Sequence, residues 1–191
     1  GPLKIQYLFS HAIGTITANG EADVLAGPAA TTYTLTGTSR QVQALGVTAS
    51  GIDEIDGNGT ANTLVGSATA TTFKLTGFNE VTAADITARG IGSLEGRSAS
   101  DTMAGGLVGT VWTVSAANTV SAKGVNASGI EAIAGAGTTD GITGAPAGTT
   151  YTLTGAPNSV SMLGVNATGI GRVTARGTGN VLVGSNTGTG Y

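Results

Sequence analysis

The chain has 191 residues, of which 33 are glycine, none is cysteine and one is histidine; charged residues make up 10% and the formal net charge is −3. Without cysteine there is no disulfide framework, no thiolate zinc site and no cysteine nucleophile. The small negative charge argues against nucleic acid as a partner, and no apolar run approaches the roughly 20 residues that a membrane-spanning helix needs, so we expect no membrane insertion.

Glycine is more than twice as frequent as the average, which would give about 13 residues in this length. The chain is nevertheless 40% apolar, which lies outside the polar, highly charged composition of disordered segments. The glycines therefore need a structural explanation, and the test for internal repeats supplies one.

The chain is a single array of repeats with a period of 39 to 40 residues. Gly1 and Pro2 resemble the remnant of a cleaved expression tag, which suggests a piece of a longer protein with flanking repeats. The array occupies residues 3–191: a partial repeat at 3–18, full repeats at 19–57, 58–96, 97–135 and 136–175, and a partial repeat at 176–191.

One column of the repeat is always aspartate or asparagine and precedes an apolar residue and a glycine. We call it the Asx column; its members are Asp23, Asn62, Asp101, Asp140 and Asn180. Such side chains hydrogen-bond nearby backbone groups and so fix turns. We expect a structural role for the column, with the exchange of Asp for Asn relieving repulsion between like charges.

Short segments of alternating polarity, such as Thr32–Thr36 and Val42–Leu45, predict β-strands. No stretch of ten residues has a helical pattern that the glycines would permit, so the fold class is all-β. We predict a parallel β-solenoid, in which like positions stack in columns and glycine occupies corners with positive φ. Two coils of about 20 residues per repeat would give about ten coils. The alternative is a five-bladed β-propeller, since about 40 residues can also form one blade.

The segments 14–27, 51–57 and 57–66 carry a resemblance to a known family. They resemble repeats of filamentous-haemagglutinin-like adhesins and related large bacterial exoproteins, and the resemblance covers essentially residues 3–191. It implies a right-handed β-helical stalk or passenger, exported to the bacterial cell surface, without catalysis.

The string from Gly57 to Leu64 is also similar to the calcium-binding repeats of RTX proteins, which recur every nine residues rather than every 39. Isolated turns cannot supply the six or more oxygens that calcium requires. Partial sites around Asp53, Glu54, Asp56 and Asn58 are an open alternative to solvated turns, and we expect neither a metal nor a cofactor.

Threonines on the strand after each Asx turn form a candidate binding face, because alternate side chains of a strand point to the same side. Its members are Thr32, Thr34, Thr36, Thr72, Thr76, Thr113, Thr150, Thr152 and Thr154. The face resembles the Thr-x-Thr arrays of ice-binding β-helices, although Lys74 and Val111 interrupt it. The alternatives are a solvated strand surface or adhesion to a glycan or protein.

Little in the sequence indicates an enzyme. His11 aligns with polar, variable positions of the other repeats, which is typical of a surface residue, and no second signal supports a catalytic triad. The carboxylates Asp53, Glu54, Asp85 and Glu95 do not recur between repeats, and they do not form the distinctive acidic cluster within one groove that enzymes on β-helices usually carry. We therefore expect a secreted structural or adhesive segment whose partner is a host or surface glycan or protein, or ice.

Overall fold

The computed structural model describes residues 4–6 and 14–185 of the chain. Every regular element in that part is a β-strand, as the alternating polar and apolar pattern predicts. In chain order, β1 to β23 are Lys4–Gln6, Thr15–Thr17, Val24–Gly27, Thr32–Leu35, Gln41–Ala44, Val47–Ser50, Glu54–Gly57, Asn62–Val65, Thr72–Gly77, Glu80–Ala83, Ile86–Arg89, Ile91–Glu95, Thr102–Gly105, Val111–Ala116, Thr119–Ala122, Val125–Ser128, Ala132–Ala134, Asp140–Thr143, Thr150–Leu153, Val160–Met162, Val165–Thr168, Ile170–Thr174 and Val181–Val183.

The strands form two sheets between which the chain passes repeatedly. Within the described residues, the first sheet has twelve strands in the order β1-β3-β7-β11-β10-β9-β13-β17-β21-β20-β19-β23. The second has eleven, in the order β2-β6-β5-β4-β8-β12-β16-β15-β14-β18-β22. With strands about 4.8 Å apart, the longer sheet extends about 50 Å along the stack.

Each repeat contributes five strands, unequally divided between the sheets. In 19–57, β3 and β7 are single strands of the twelve-stranded sheet and pair in parallel, whereas β4, β5 and β6 form an antiparallel meander in the other sheet. In 58–96 the assignment is reversed: β8 and β12 lie in the eleven-stranded sheet and the meander β9–β11 lies in the twelve-stranded one. Consecutive repeats therefore exchange faces.

This architecture is a β-solenoid of about five turns, with parallel pairing between successive turns. The fold class is thus confirmed, and the propeller is excluded because the strands form two continuous sheets rather than separate blades. The expectation of about ten coils is wrong. The middle of each repeat folds back on itself as a meander instead of continuing around the axis.

Two-residue turns join the second and third strands of each meander. At Leu45–Gly46 the φ angles are 51° and 80°, and at Ala84–Asp85 they are 49° and 59°. Positive φ at both positions is typical of the type I′ turn, which favours Asn-Gly. Leucine and alanine occupy the first position here, so these turns lack the asparagine of the Asn-Gly hairpin signal.

The apolar columns of the repeat form one continuous core between the sheets. The aromatic column, consisting of Tyr33, Phe73, Trp112 and Tyr151, is buried throughout. The same holds for the column of Ile52, Ile91, Ile130 and Ile170. Because consecutive repeats exchange sheets, an aromatic side chain does not stack on its equivalent: Tyr33 pairs with Leu64, and Phe73 with Met103.

Two glycine columns have different physical causes. Gly51, Gly90, Gly129 and Gly169 have φ between 66° and 75°, as expected for corners. In the second column, Gly66 and Gly105 are not in that conformation. Instead, a Cβ added to Gly66 would lie 3.1 Å from Cζ of Phe73, and one added to Gly105 would lie 3.3 Å from Cζ2 of Trp112. This second column is glycine because the aromatic ring of the same repeat occupies the space of a side chain.

Gly27 and Tyr33 offer a test of this explanation, because a Cβ at Gly27 would collide with the Tyr33 hydroxyl. We expect Gly27→Ala to lower the free energy of unfolding by about 2 kcal/mol. Among the residues that the structure describes, the Tyr33 hydroxyl has no hydrogen-bond partner, so Tyr33→Phe alone should cost less than about 1 kcal/mol. Urea unfolding of the double variant should recover about half of the Gly27→Ala loss. Strict additivity of the two changes would contradict the explanation.

The buried phenol of Tyr33 should also make the stability of the fold depend on pH. Burial raises the pKa of Tyr33 above its ordinary value of 10.0, because the phenolate would lie in the core. The contribution of the neutral, buried Tyr33 to the free energy of unfolding is fully present below about pH 10. It is lost as the pH rises through the higher pKa of the folded state. Between about pH 9 and pH 11, thermal unfolding should shift less for Tyr33→Phe than for the parent. An identical shift would show that Tyr33 does not contribute.

Candidate functional site

The threonines of the candidate binding face point outward but do not share one surface. Thr32 and Thr34 on β4 and Thr113 on β14 belong to the eleven-stranded sheet, whereas Thr72 on β9 and Thr150 on β19 belong to the twelve-stranded sheet. Equivalent threonines of consecutive repeats therefore lie on opposite faces of the solenoid.

Strand pairing creates a different row of polar side chains on the eleven-stranded sheet. Eight consecutive strands each place one hydroxyl or amide side chain at the same level. We call this row the polar ladder; in order, it consists of Thr32, Thr63, Ser93, Asn126, Ser121, Thr113, Thr143 and Thr174. All eight are exposed or half-buried, and seven strand spacings give the ladder a length of about 34 Å.

The row beside the ladder is mixed in character. From Thr34 it continues through Val65, Glu95, Ser128 and Thr119. Val65 is apolar and Glu95 is an exposed carboxylate, so this second row is not a repetition of the first. The uncharged polar surface is therefore a line along the solenoid axis rather than a two-dimensional array.

The outward face of the twelve-stranded sheet has a different chemistry. Arg89 on β11 forms ion pairs with Glu54 on β7 and with Glu80 on β10, the latter at 3.0 Å between Nε and Oε2. The hydrogen bond and the charge of Glu54, reinforced by Glu80, raise the pKa of Arg89. Glu80 also accepts a hydrogen bond from Thr76 at 2.8 Å. The one positive charge of Arg89 is thus shared between two carboxylates of the same sheet.

The Asx column joins each repeat to the one before it. Oδ1 of Asn62 accepts a hydrogen bond of 2.9 Å from the backbone N–H of Thr31, and the N–H of Thr63 donates to the carbonyl of Thr31 at 3.0 Å. The same pair of bonds joins Asp101 and Thr102 to Thr71. The four Asx side chains from Asn62 to Asn180 thus each start the parallel pairing of two strands, whereas the Asp23 side chain accepts from the N–H of Gly20.

The second polar atom of the Asx side chain has different partners in different repeats, and these partners determine whether the residue is Asp or Asn. Oδ2 of Asp101 accepts from the N–H of Ser98 at 2.8 Å, and Oδ2 of Asp140 accepts from the N–H of Ala136 at 2.8 Å. Nδ2 of Asn62 instead donates to the carbonyl of Gly59 at 3.1 Å and to that of Gly90 at 3.0 Å.

The backbone conformation of the turn that precedes the Asx residue accounts for the choice between Asp and Asn. Gly59 has φ of 79°, and Gly177, three residues before Asn180, has φ of 67°. In both turns the carbonyl of that glycine accepts from the Asn side chain. Ser98, at the same place before Asp101, is not in this conformation and offers its N–H. Members of the column on one sheet are five strand spacings apart, about 24 Å, so charges within one sheet repel each other little.

A column of buried threonines was not predicted from the sequence. Thr31, Thr71, Thr110 and Thr149 each precede the strand that carries the aromatic residue, and each N–H donates to an Asx side chain. All four are at most 7% exposed. The recurrence of threonine at this position in four repeats is the sequence signal of the column.

The remaining candidates for chemistry lie apart from one another or already have partners. His11 lies outside the described residues. Asp53 forms an ion pair of 2.7 Å with Arg40, and Asp85 accepts from Ser39 at 2.7 Å. Within residues 4–6 and 14–185, no three His, Cys, Asp or Glu residues cluster in a way that could hold a metal ion.

No helix in the described part of the chain is long and apolar enough to cross a membrane. Comparison of the chain with protein-family models, with curated proteins and with solved structures gives no match.

The Asp and Asn assignment leads to a direct prediction. Asn62→Asp should lower the free energy of unfolding by about 3 kcal/mol, because a buried carboxylate would face the carbonyls of Gly59 and Gly90. Asn180→Asp is the matched control, since Asn180 makes similar bonds but is less buried, and should cost less. Chemical unfolding at pH 7 measures both. Equal, small losses would contradict the assignment.

Proposed function

We propose that the chain is a rigid segment of a secreted bacterial surface protein that mediates attachment. The fold supports a structural role, because two sheets extend along the whole stack and the core between them is continuous. Stability of this kind needs no disulfide, in keeping with the absence of cysteine. The resemblance of residues 3–191 to filamentous-haemagglutinin-like repeats points to the same role.

The observation that carries the attachment function is the polar ladder. It places eight uncharged polar side chains in a line along the axis of a stiff scaffold. Because the backbone of each rung is hydrogen-bonded to its neighbours, the contact groups are ordered before a ligand arrives. Such preorganisation lowers the entropic cost of binding.

Ice is the second candidate ligand for an outward threonine face. A regular array of hydroxyls and methyls in two dimensions would favour it. Here Val65 and Glu95 interrupt the row beside the ladder, and the Thr-x-Thr pairs at Thr32 and Thr150 face opposite sides. The geometry therefore supports attachment to a polymer better than attachment to a crystal plane.

Retention of coated beads under flow tests the attachment function. Beads that carry the purified chain should be retained on at least one biological surface, in a panel of neutral polysaccharide, acidic polysaccharide, matrix protein and cultured cells, while albumin-coated beads are washed away. We expect retention at least about threefold above the albumin control, a difference in binding free energy of about 0.7 kcal/mol. Retention equal to albumin on every surface would refute the proposal.

A further inference from the structure

The side chains of the polar ladder make no hydrogen bonds with the rest of the described protein. Within residues 4–6 and 14–185, the one side-chain hydrogen bond that reaches a ladder residue goes from the Tyr151 hydroxyl to the backbone carbonyl of Thr174, and none involves a ladder side chain, although sheet pairing brings these side chains together. Elsewhere on the two faces, neighbouring side chains do pair: Gln43 donates to Thr48 at 3.2 Å, and Arg89 to Glu80 at 3.0 Å. The ladder therefore keeps its hydrogen-bonding capacity for groups outside the protein.

We infer that the polar ladder is the binding surface for an extended, uncharged polysaccharide that lies along the solenoid axis. This inference rests on the proposed attachment function and names the ligand class that it uses. Hydroxyl groups both donate and accept, and the amide of Asn126 does the same, so the ladder matches a partner whose own groups are hydroxyls.

The charge pattern favours a neutral partner. The ladder has no ionisable residue over eight strands, and the ion pairs of Arg89 lie on the opposite sheet. The charges within two residues of a ladder member are Glu95 beside Ser93, Lys123 beside Ser121, and Arg172 and Arg176 on either side of Thr174. Glu95 and Lys123 have opposite signs, and the two arginines lie at the last rung, so no continuous line of like charge follows the ladder as a polyanion or a polycation would require.

The shape of the ladder favours a chain over a planar surface or a compact ligand. Its rungs follow at about 4.8 Å, which is close to the rise of one sugar in an extended β-linked polysaccharide. A chain of about seven sugars would span the ladder's length of about 34 Å. A short oligosaccharide would contact only two or three rungs and should bind weakly.

Cellulose fibres as probe, with matched variants on the two faces, test the inference. The ladder variant combines Thr63→Lys with Thr113→Lys, and the control combines Thr72→Lys with Thr102→Lys, an outward pair on the twelve-stranded sheet. Both add two positive charges at outward positions. Thermal unfolding of each variant establishes that it is folded.

Depletion isotherms should show binding of the parent, at least about tenfold weaker binding of the ladder variant, and a change of less than about twofold for the control. Thr63→Val with Thr113→Val keeps the shape of the side chains and removes two hydroxyls, so it should also weaken binding. Soluble neutral oligosaccharides of about seven sugars should compete, whereas disaccharides should not.

Equal loss in the ladder and control variants would overturn the inference, as would tighter binding to an acidic polysaccharide than to cellulose. Retention of coated beads on other surfaces without cellulose binding would refute the polysaccharide ligand and leave attachment standing. Thermal hysteresis that the ladder variant loses, without cellulose binding, would assign the ladder to ice instead. Absence of both bead retention and cellulose binding would refute both proposals.

Discussion

The hydrogen bonds between the Asx side chains from Asn62 to Asn180 and a threonine N–H of the preceding repeat set the register on which the solenoid depends. Asn62 on Thr31 and Asp101 on Thr71 fix which residues of two strands lie opposite each other. Once that level is set, backbone pairing brings apolar side chains inward and polar ones outward, because a strand alternates between its faces. A slip of one residue would expose the core, so a buried polar group here specifies the fold.

The fold class and the core could be predicted because both depend on local pattern. Apolar alternation gave the strands, and columns such as that of Ile52 and Ile91 are buried. Pairing partners could not be predicted, since a 39-residue period is equally compatible with equivalent or non-equivalent neighbours. Thr32 pairs with Thr63 rather than with its equivalent Thr72, and the hairpin at Leu45 lacks the usual turn residue.

The same limitation explains why the candidate site changed. Sequence columns grouped outward threonines by their place in the repeat, whereas the sheet groups them by hydrogen bonding. Only Thr32 and Thr113 of the expected set belong to the polar ladder, beside residues such as Ser93 and Asn126 that no column singled out. Binding surfaces of this solenoid are therefore a property of pairing, and they combine unlike positions of neighbouring repeats.

The exchange of sheets between consecutive repeats has a consequence for how such a protein can lengthen. Equivalent residues return to the same face only after two repeats, as Asp23 and Asp101 do, 78 positions apart. Gain or loss of a single repeat by recombination would carry every later surface residue to the opposite side of the rod. Gain or loss of a pair would preserve both faces. Selection for a contact surface on one side of the rod would therefore retain variants whose numbers of repeats differ by two.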